Sequence, residues 1–112
     1  MNDREALAAA VSLRRAIHQH PELGHLEFET TARVARFLKQ GGVPFQRHKP
    51  TGLVGHLEKG RGPCVAFRAD MDALPLQETS ALPYASRRPG VMHACGHDAH
   101  TAMLAVAAVQ LK

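Results

Sequence analysis

Apolar residues recur at helical spacing near the start of the chain. Leu7, Ala10, Val11, Arg14 and Ile17 follow that spacing, and all but Arg14 are apolar. The pattern predicts a helix over residues 3–20. Asn2 and Glu5 form a capping-box signature at its start. Pro21 ends it by pushing His20 toward an extended conformation. A second helix is predicted over 27–40, where Val34, Phe37 and Leu38 share a face and Arg33, Arg36 and Lys39 lie elsewhere. Gly41 and Gly42 stop it, because glycine accepts the left-handed conformation of a helix end.

The period then changes. Residues 45–48 and 52–58 read as short strands around a Pro50-Thr51-Gly52 turn, and "KGRGP" (59–63) is a second turn. "CVAFRAD" (64–70) opens with four consecutive apolar residues, which predicts a strand buried on both faces. Residues 74–91 form a long connection containing Pro75, Pro83 and Pro89. Connections of this length are usually functional or disordered. From about Asp98, a good N-cap, the chain reads as a third helix. Ala102 to Val109 is apolar on every side, which predicts burial among other elements. One small sheet and two helices offer little to bury it, and this points to the front part of something larger.

Composition narrows the class. A chain of 112 residues is one domain at most. With 45% hydrophobic and 21% charged residues it reads as ordinary soluble protein. The formal charge is +4, but the basic residues are dispersed and read as solvated faces, not as a nucleic-acid surface. Four Phe, one Tyr and no Trp make a poor stacking platform for single strands. Cys64 and Cys95 are too few for a disulfide scaffold. The acidic opening, with Arg14 and Arg15 interrupting the apolar stretch, does not read as a signal peptide. No apolar run reaches the roughly 20 residues of a membrane span. The expectation is a cytoplasmic protein with both thiols free or metal-bound.

Two clusters carry candidate chemistry. Asp70 and Asp72 follow the predicted strand, and residues two apart on extended backbone point to one side. In open α/β sheets the carboxyl edge is where ligands bind. Two adjacent carboxylates repel unless a cation or proton neutralises them, although Asp is also common in turns. The second cluster is "HACGHDAH" (93–100), with His93, Cys95, His97 and His100 around Asp98. Cys95 and His97 face one centre if the segment is extended, and Gly96 leaves room between them. Thiolate and imidazole suit zinc and related transition metals, and soft Cys95 argues against magnesium and calcium. His93 and His100 could face substrate or support the ligands. A stable site takes three or four protein groups, and the sequence shows two with Asp70 or Asp72 as a further candidate.

The remaining candidates are weaker. His18 and His20 are expected to meet free carbonyls at a helix end. His25, His48 and His56 are expected to face solvent. Cys64 reads as a small core residue, and Glu78 as a loop acid without a partner.

"HQHPELGHLEFET" (18–30), "FRADMDALPLQE" (67–78) and "GVMHACGHDAHTAMLA" (90–105) occur in this order. Together they resemble the amidohydrolase branch of the M20 metallopeptidase family, which includes hippurate hydrolases, indole-acetyl-amino-acid hydrolases and N-acyl-amino-acid deacylases. The resemblance implies an α/β fold, the N-terminal part of a zinc-peptidase-like catalytic domain with a mixed sheet flanked by helices. Residues 1–112 would be a partial catalytic domain, without its remainder or the inserted dimerisation domain. It implies hydrolysis of the amide bond of N-acyl amino acids or small peptides, with two divalent metal ions (Mn, Zn, Co or Ni) in the complete enzyme. Position by position, Cys95 and His97 resemble metal ligands, and Asp72 resembles the catalytic acid that orients the metal centre. Asp70 stands where other branches carry a ligand histidine, and His25 where relatives usually carry an aromatic residue. The family's general base is a glutamate outside the matched region. Implied partners are a small N-acyl amino acid substrate and a second copy in a homodimer, with neither nucleic acid nor membrane. The isolated chain is expected to be inactive. The rival expectation is a fragment that binds a metal or a partner without catalysis.

Overall fold

The computed structural model describes residues 1–112. Three helices and one hairpin appear in the order α1 (Asp3–Gln19), α2 (Phe28–Gln40), β1 (Phe45–Arg47), β2 (Leu53–Gly55) and α3 (His97–Leu111).

Helix α1 starts as its sequence predicts. The Asn2 side chain accepts from the Glu5 amide at 2.9 Å, and the Glu5 carboxylate accepts from the Asn2 amide at 3.1 Å. Two of the amides left free at a helix start are thereby satisfied. Helix α2 is held from a distance. Its N-cap residue, Glu27, makes no side-chain cap bond. Instead the buried Glu22 carboxylate accepts from the amides of Glu29 (3.0 Å) and Thr30 (2.6 Å) and from the Thr30 hydroxyl (2.7 Å). A carboxylate at this end also meets the positive pole of the helix.

Leu13, Ile17, Val34, Leu38, Val43, Ala102 and Ala105 form the core, and α3 packs chiefly against α1. Ile17 is fully buried. Burying a side chain of that size stabilises the fold by about 1.5–3 kcal/mol. Strands β1 and β2 pair antiparallel, with Gln46 opposite Val54, and close the α2 side of the core through Phe45 and Leu53.

Four expectations need correction. The strand over 64–70 does not form: no partner strand runs beside it, and Val65 and Phe67 are 71% and 73% exposed. An apolar run becomes a strand only when a neighbour takes its amides and carbonyls, and the one sheet here is the β1–β2 pair. Cys64, at the head of that run, is exposed and not a core residue. Asp98 is not the cap of α3. Gly96 is, in the left-handed region at φ 95°, and Asp98 turns inward from the first turn. Helix α3 is also not covered all round: Ala102, Ala105 and Val106 are buried, while Met103 and Leu111 are exposed on its far side.

The long connection 74–91 is anchored. Leu74 and Met92 exchange both backbone bonds, the Arg87 amide donates to the Gln19 carbonyl, and the guanidinium groups of Arg14 and Arg15 lie 5.4 and 4.5 Å from the Tyr84 ring centre. No helix is long and apolar enough to cross a membrane.

Candidate functional site

The end of the extended segment and the start of α3 meet at Asp72 and His97. His97 Nδ1 lies 2.9 Å from Asp72 Oδ1 and 3.0 Å from the Asp72 carbonyl oxygen. Both partners accept, so Nδ1 carries a proton, and in the neutral imidazole Nε2 is the nitrogen with the lone pair. Histidine metal ligands are commonly set up this way: a carboxylate or carbonyl takes one N–H, fixing the tautomer and the ring plane.

Each half of the pair is tethered. The Ala73 amide, next to Asp72, donates to the Glu22 carbonyl at 2.8 Å, and a Cβ added at Gly24 would sit 4.0 Å from the Asp72 Cβ. Thr101, one turn along α3, donates its hydroxyl to the Asp70 carbonyl at 2.9 Å. Gly96 supplies the left-handed turn between Cys95 and His97, a backbone conformation that side chains rarely adopt.

Behind the pair lies a buried polar chain. Asp98, 1% exposed, accepts at Oδ2 from Arg14 Nε and His18 Nδ1, both at 2.8 Å. His18 Nε2 reaches Glu78 Oε1 at 2.9 Å, and Glu78 also accepts from the Ser86 amide at 2.8 Å and from the Ser80 hydroxyl. Burial pushes the Glu78 carboxyl up, but the bonds from Ser80 and Ser86 and the His18 ring outweigh it and hold the pKa below the ordinary value. Burial likewise pushes Asp98 up, while the His18 bond and the Arg14 charge bring it below its ordinary value.

His93 sits beside this chain, its ring 6.3 Å from that of His18. It is 4% exposed and neither ring nitrogen has a partner. Burial lowers its pKa, with His18 and His97 acting the same way against Asp98 and Asp72. It is therefore a neutral imidazole at pH 7.

Comparison with known proteins points to one family. Residues 66–112 match the model for "Peptidase family M20/M25/M40". The N-acetyl-L-cysteine deacetylase of Bacillus subtilis is 48% identical over 104 residues, covering 91% of this chain and 25% of that protein. The IAA-amino acid hydrolase ILR1-like 5 of Arabidopsis thaliana is 50% identical over 103 residues, covering 91% and 24%. The crystal structure of the Bacillus subtilis YXEP protein, described as a dinuclear metal binding peptidase from the M20 family, superposes with a TM-score of 0.90 at 43% identity over 97% of this chain and 32% of that one. The chain is similar to members of the M20 family over nearly all of its own length. It spans about a quarter of the length of the curated M20 relatives it matches.

Within this M20 fold, the structure brings together some of the residues singled out in the sequence and separates others. Asp72 and His97 meet. Cys95 is exposed with a free thiol, two residues ahead of His97. Asp70 does not join Asp72: its carboxylate pairs with exposed Arg68, at 3.0 Å from Nε and 2.9 Å from a terminal guanidinium nitrogen. No group of three or more His, Cys, Asp or Glu side chains is placed to hold a metal ion. His100 is exposed, with its ring 6.2 Å from that of His97. His25, His48 and His56 are exposed as expected, and His20 Nδ1 donates to the Ala16 carbonyl at 3.0 Å, also as expected.

Two assignments from sequence are overturned. His18 does not meet helix-end carbonyls but two carboxylates, and Glu78 has three partners, not none. No local rule connects His18 with Asp98, 80 positions away, or with Glu78, 60 positions away.

Proposed function

We propose that this chain is part of the catalytic domain of a metal-dependent amidohydrolase that cleaves the amide bond of N-acyl amino acids or small peptides. The single observation that carries this reading is the Asp72–His97 pair: a carboxylate fixes the imidazole so that Nε2 is free to ligate. Cys95 and His97 are the two ligands this chain offers. Thiolate and imidazole fit zinc, manganese, cobalt or nickel better than magnesium or calcium. The names of the relatives support the substrate class, since those relatives are a deacetylase of N-acetylcysteine and a hydrolase of IAA-amino acids.

When bound, such metals polarise the scissile carbonyl and make a water molecule more acidic. The residues of this chain prepare for that. Asp72 holds the His97 tautomer, Gly96 turns the backbone between the two ligands, and the buried Asp98 keeps the start of α3 in place. Neutral His93 adds no positive charge that would repel a cation. Two ligands are fewer than a stable site needs, so residues 1–112 alone are expected not to hydrolyse substrate. Completing the site, and forming a dimer, falls to the parts that the relatives possess beyond this match. The compartment we propose is the cytoplasm.

The test is zinc or cobalt titration of the protein as its source cell produces it, with Cys95 alkylation as a second readout. Metal uptake that protects Cys95 from alkylation, with loss of both in His97→Ala, is the expected result. Equal alkylation with and without metal would sink the ligand assignment.

A further inference from the structure

Residue 18 opens the first of the three matched sequence motifs, yet nothing in the proposed chemistry uses it. The structure gives it a place. His18 lies on α1, is 4% exposed, and uses both ring nitrogens: Nδ1 toward Asp98 Oδ2 at 2.8 Å and Nε2 toward Glu78 Oε1 at 2.9 Å. Each ring nitrogen faces a carboxylate oxygen, so His18 bridges Asp98 and Glu78. The ring thus joins three separate parts of the chain: helix α1, the connection 74–91 and the first turn of α3. Asp98 is covalently next to His97. Rotating the first turn of α3 about its axis moves both together, and a metal ligand tolerates only about 0.5 Å of misplacement.

We propose that His18 is a positioning residue for the His97 ligand, its ring bridging Asp98 and Glu78 and so fixing the start of α3. This rests on the reading of His97 as a ligand. It adds a residue that touches neither metal nor substrate, and whose loss is felt as metal affinity.

The experiment is a competitive zinc titration of the protein as its source cell produces it, alongside a thermal melt of each variant. His18→Ala is expected to weaken zinc binding by roughly 10–100-fold, the range usual for groups that orient ligands. His18→Lys, whose ammonium can donate to both carboxylates, is expected to recover part of that loss. Thr31→Val serves as the control for mere destabilisation. It removes the hydroxyl that bonds the Glu27 carbonyl and the Gly52 amide, away from the pair, and should lower the melting temperature without changing zinc affinity. If His18→Ala melts early but binds zinc like the wild type, the proposal is overturned. Should His18→Ala fail to fold, Glu78→Gln takes its place with the same two outcomes. Wild-type protein that takes up no zinc would fail the ligand reading itself. Wild-type uptake with unaffected variants fails only the role of His18.

Discussion

Asp72 and His97, 25 positions apart in sequence, meet at 2.9 Å between Oδ1 and Nδ1, while the Asp72 carbonyl shares the same N–H at 3.0 Å. The double acceptor has a consequence for mutation. In Asp72→Ala the carboxylate goes but the carbonyl stays, so the tautomer is weakened and not inverted. Zinc affinity should fall toward the lower end of the 10–100-fold range for lost orienting groups, about 10-fold. A Cys95→Ser change removes a donor outright and should cost more. Isothermal titration of both variants checks the order, and a larger loss in Asp72→Ala would contradict it.

Acid should unfold the metal-free protein in two stages. His93 is buried and its folded-state pKa lies below the reference 6.5, so below about that pH the unfolded chain takes up a proton that the folded one refuses. Stability then falls as pH drops. Glu78 and Asp98 have folded pKa values below their ordinary ones. Their contribution is complete above the ordinary carboxylate range and is lost as pH falls through that range toward the folded values. Each proton taken up on unfolding adds a slope of about 1.4 kcal/mol per pH unit. Urea midpoints between pH 7 and 3 should therefore decline gently at first and steeply later. His93→Leu should remove the early part alone, and a flat profile across the range would contradict the assignment.

Local patterns were legible in the sequence. The Asn2–Glu5 box lies within one turn, and Gly42 and Pro21 stop helices by their own backbone chemistry, so α1 and α2 end within a residue or two of the expected positions. The Cys95–His97 spacing was equally visible. Long-range chemistry was not. His18 looked like a helix-end residue and Asp98 like a cap because each local rule was satisfied by a nearby reading, whereas their partners lie 60 to 84 positions away. Segment 64–70 failed for a related reason: apolarity marks a residue for burial but does not supply the strand that would bury it. The exposed Val65 and Phe67 record that difference.

Glu22 offers a stability test separate from the metal. Its carboxylate serves three donors at the start of α2, and it is 4% exposed. Glu22→Ala leaves two helix amides and a buried hydroxyl without an acceptor. Losing a cap costs about 1 kcal/mol, and stranding buried donors adds about 1–3 kcal/mol. A total of about 2–4 kcal/mol follows. Glu22→Gln retains one acceptor and should lose less. Urea unfolding of the two variants measures both. Equal losses would mean that the charge, and not the pattern of acceptors, holds the helix.

Gly41 tests the packing of α3 on the end of α2. Its backbone is ordinary right-handed helix at φ −79°, so no conformational strain requires glycine there. What requires it is Val109, whose two γ-methyl groups occupy the space a Cβ would need. Val109 also packs against the core cluster. Gly41→Ala must push α3 outward or force Val109 from its rotamer, and overpacking of this kind costs about 1–3 kcal/mol. On an open helix end the same change would stabilise by about 0.4–1 kcal/mol through the unfolded chain, so the sign of the effect is diagnostic. The double variant Gly41→Ala with Val109→Ala should recover much of the loss, since removing the methyl groups makes room for the new one. A Gly41→Ala protein that melts higher than the wild type would show that α3 does not seat on α2 at this point.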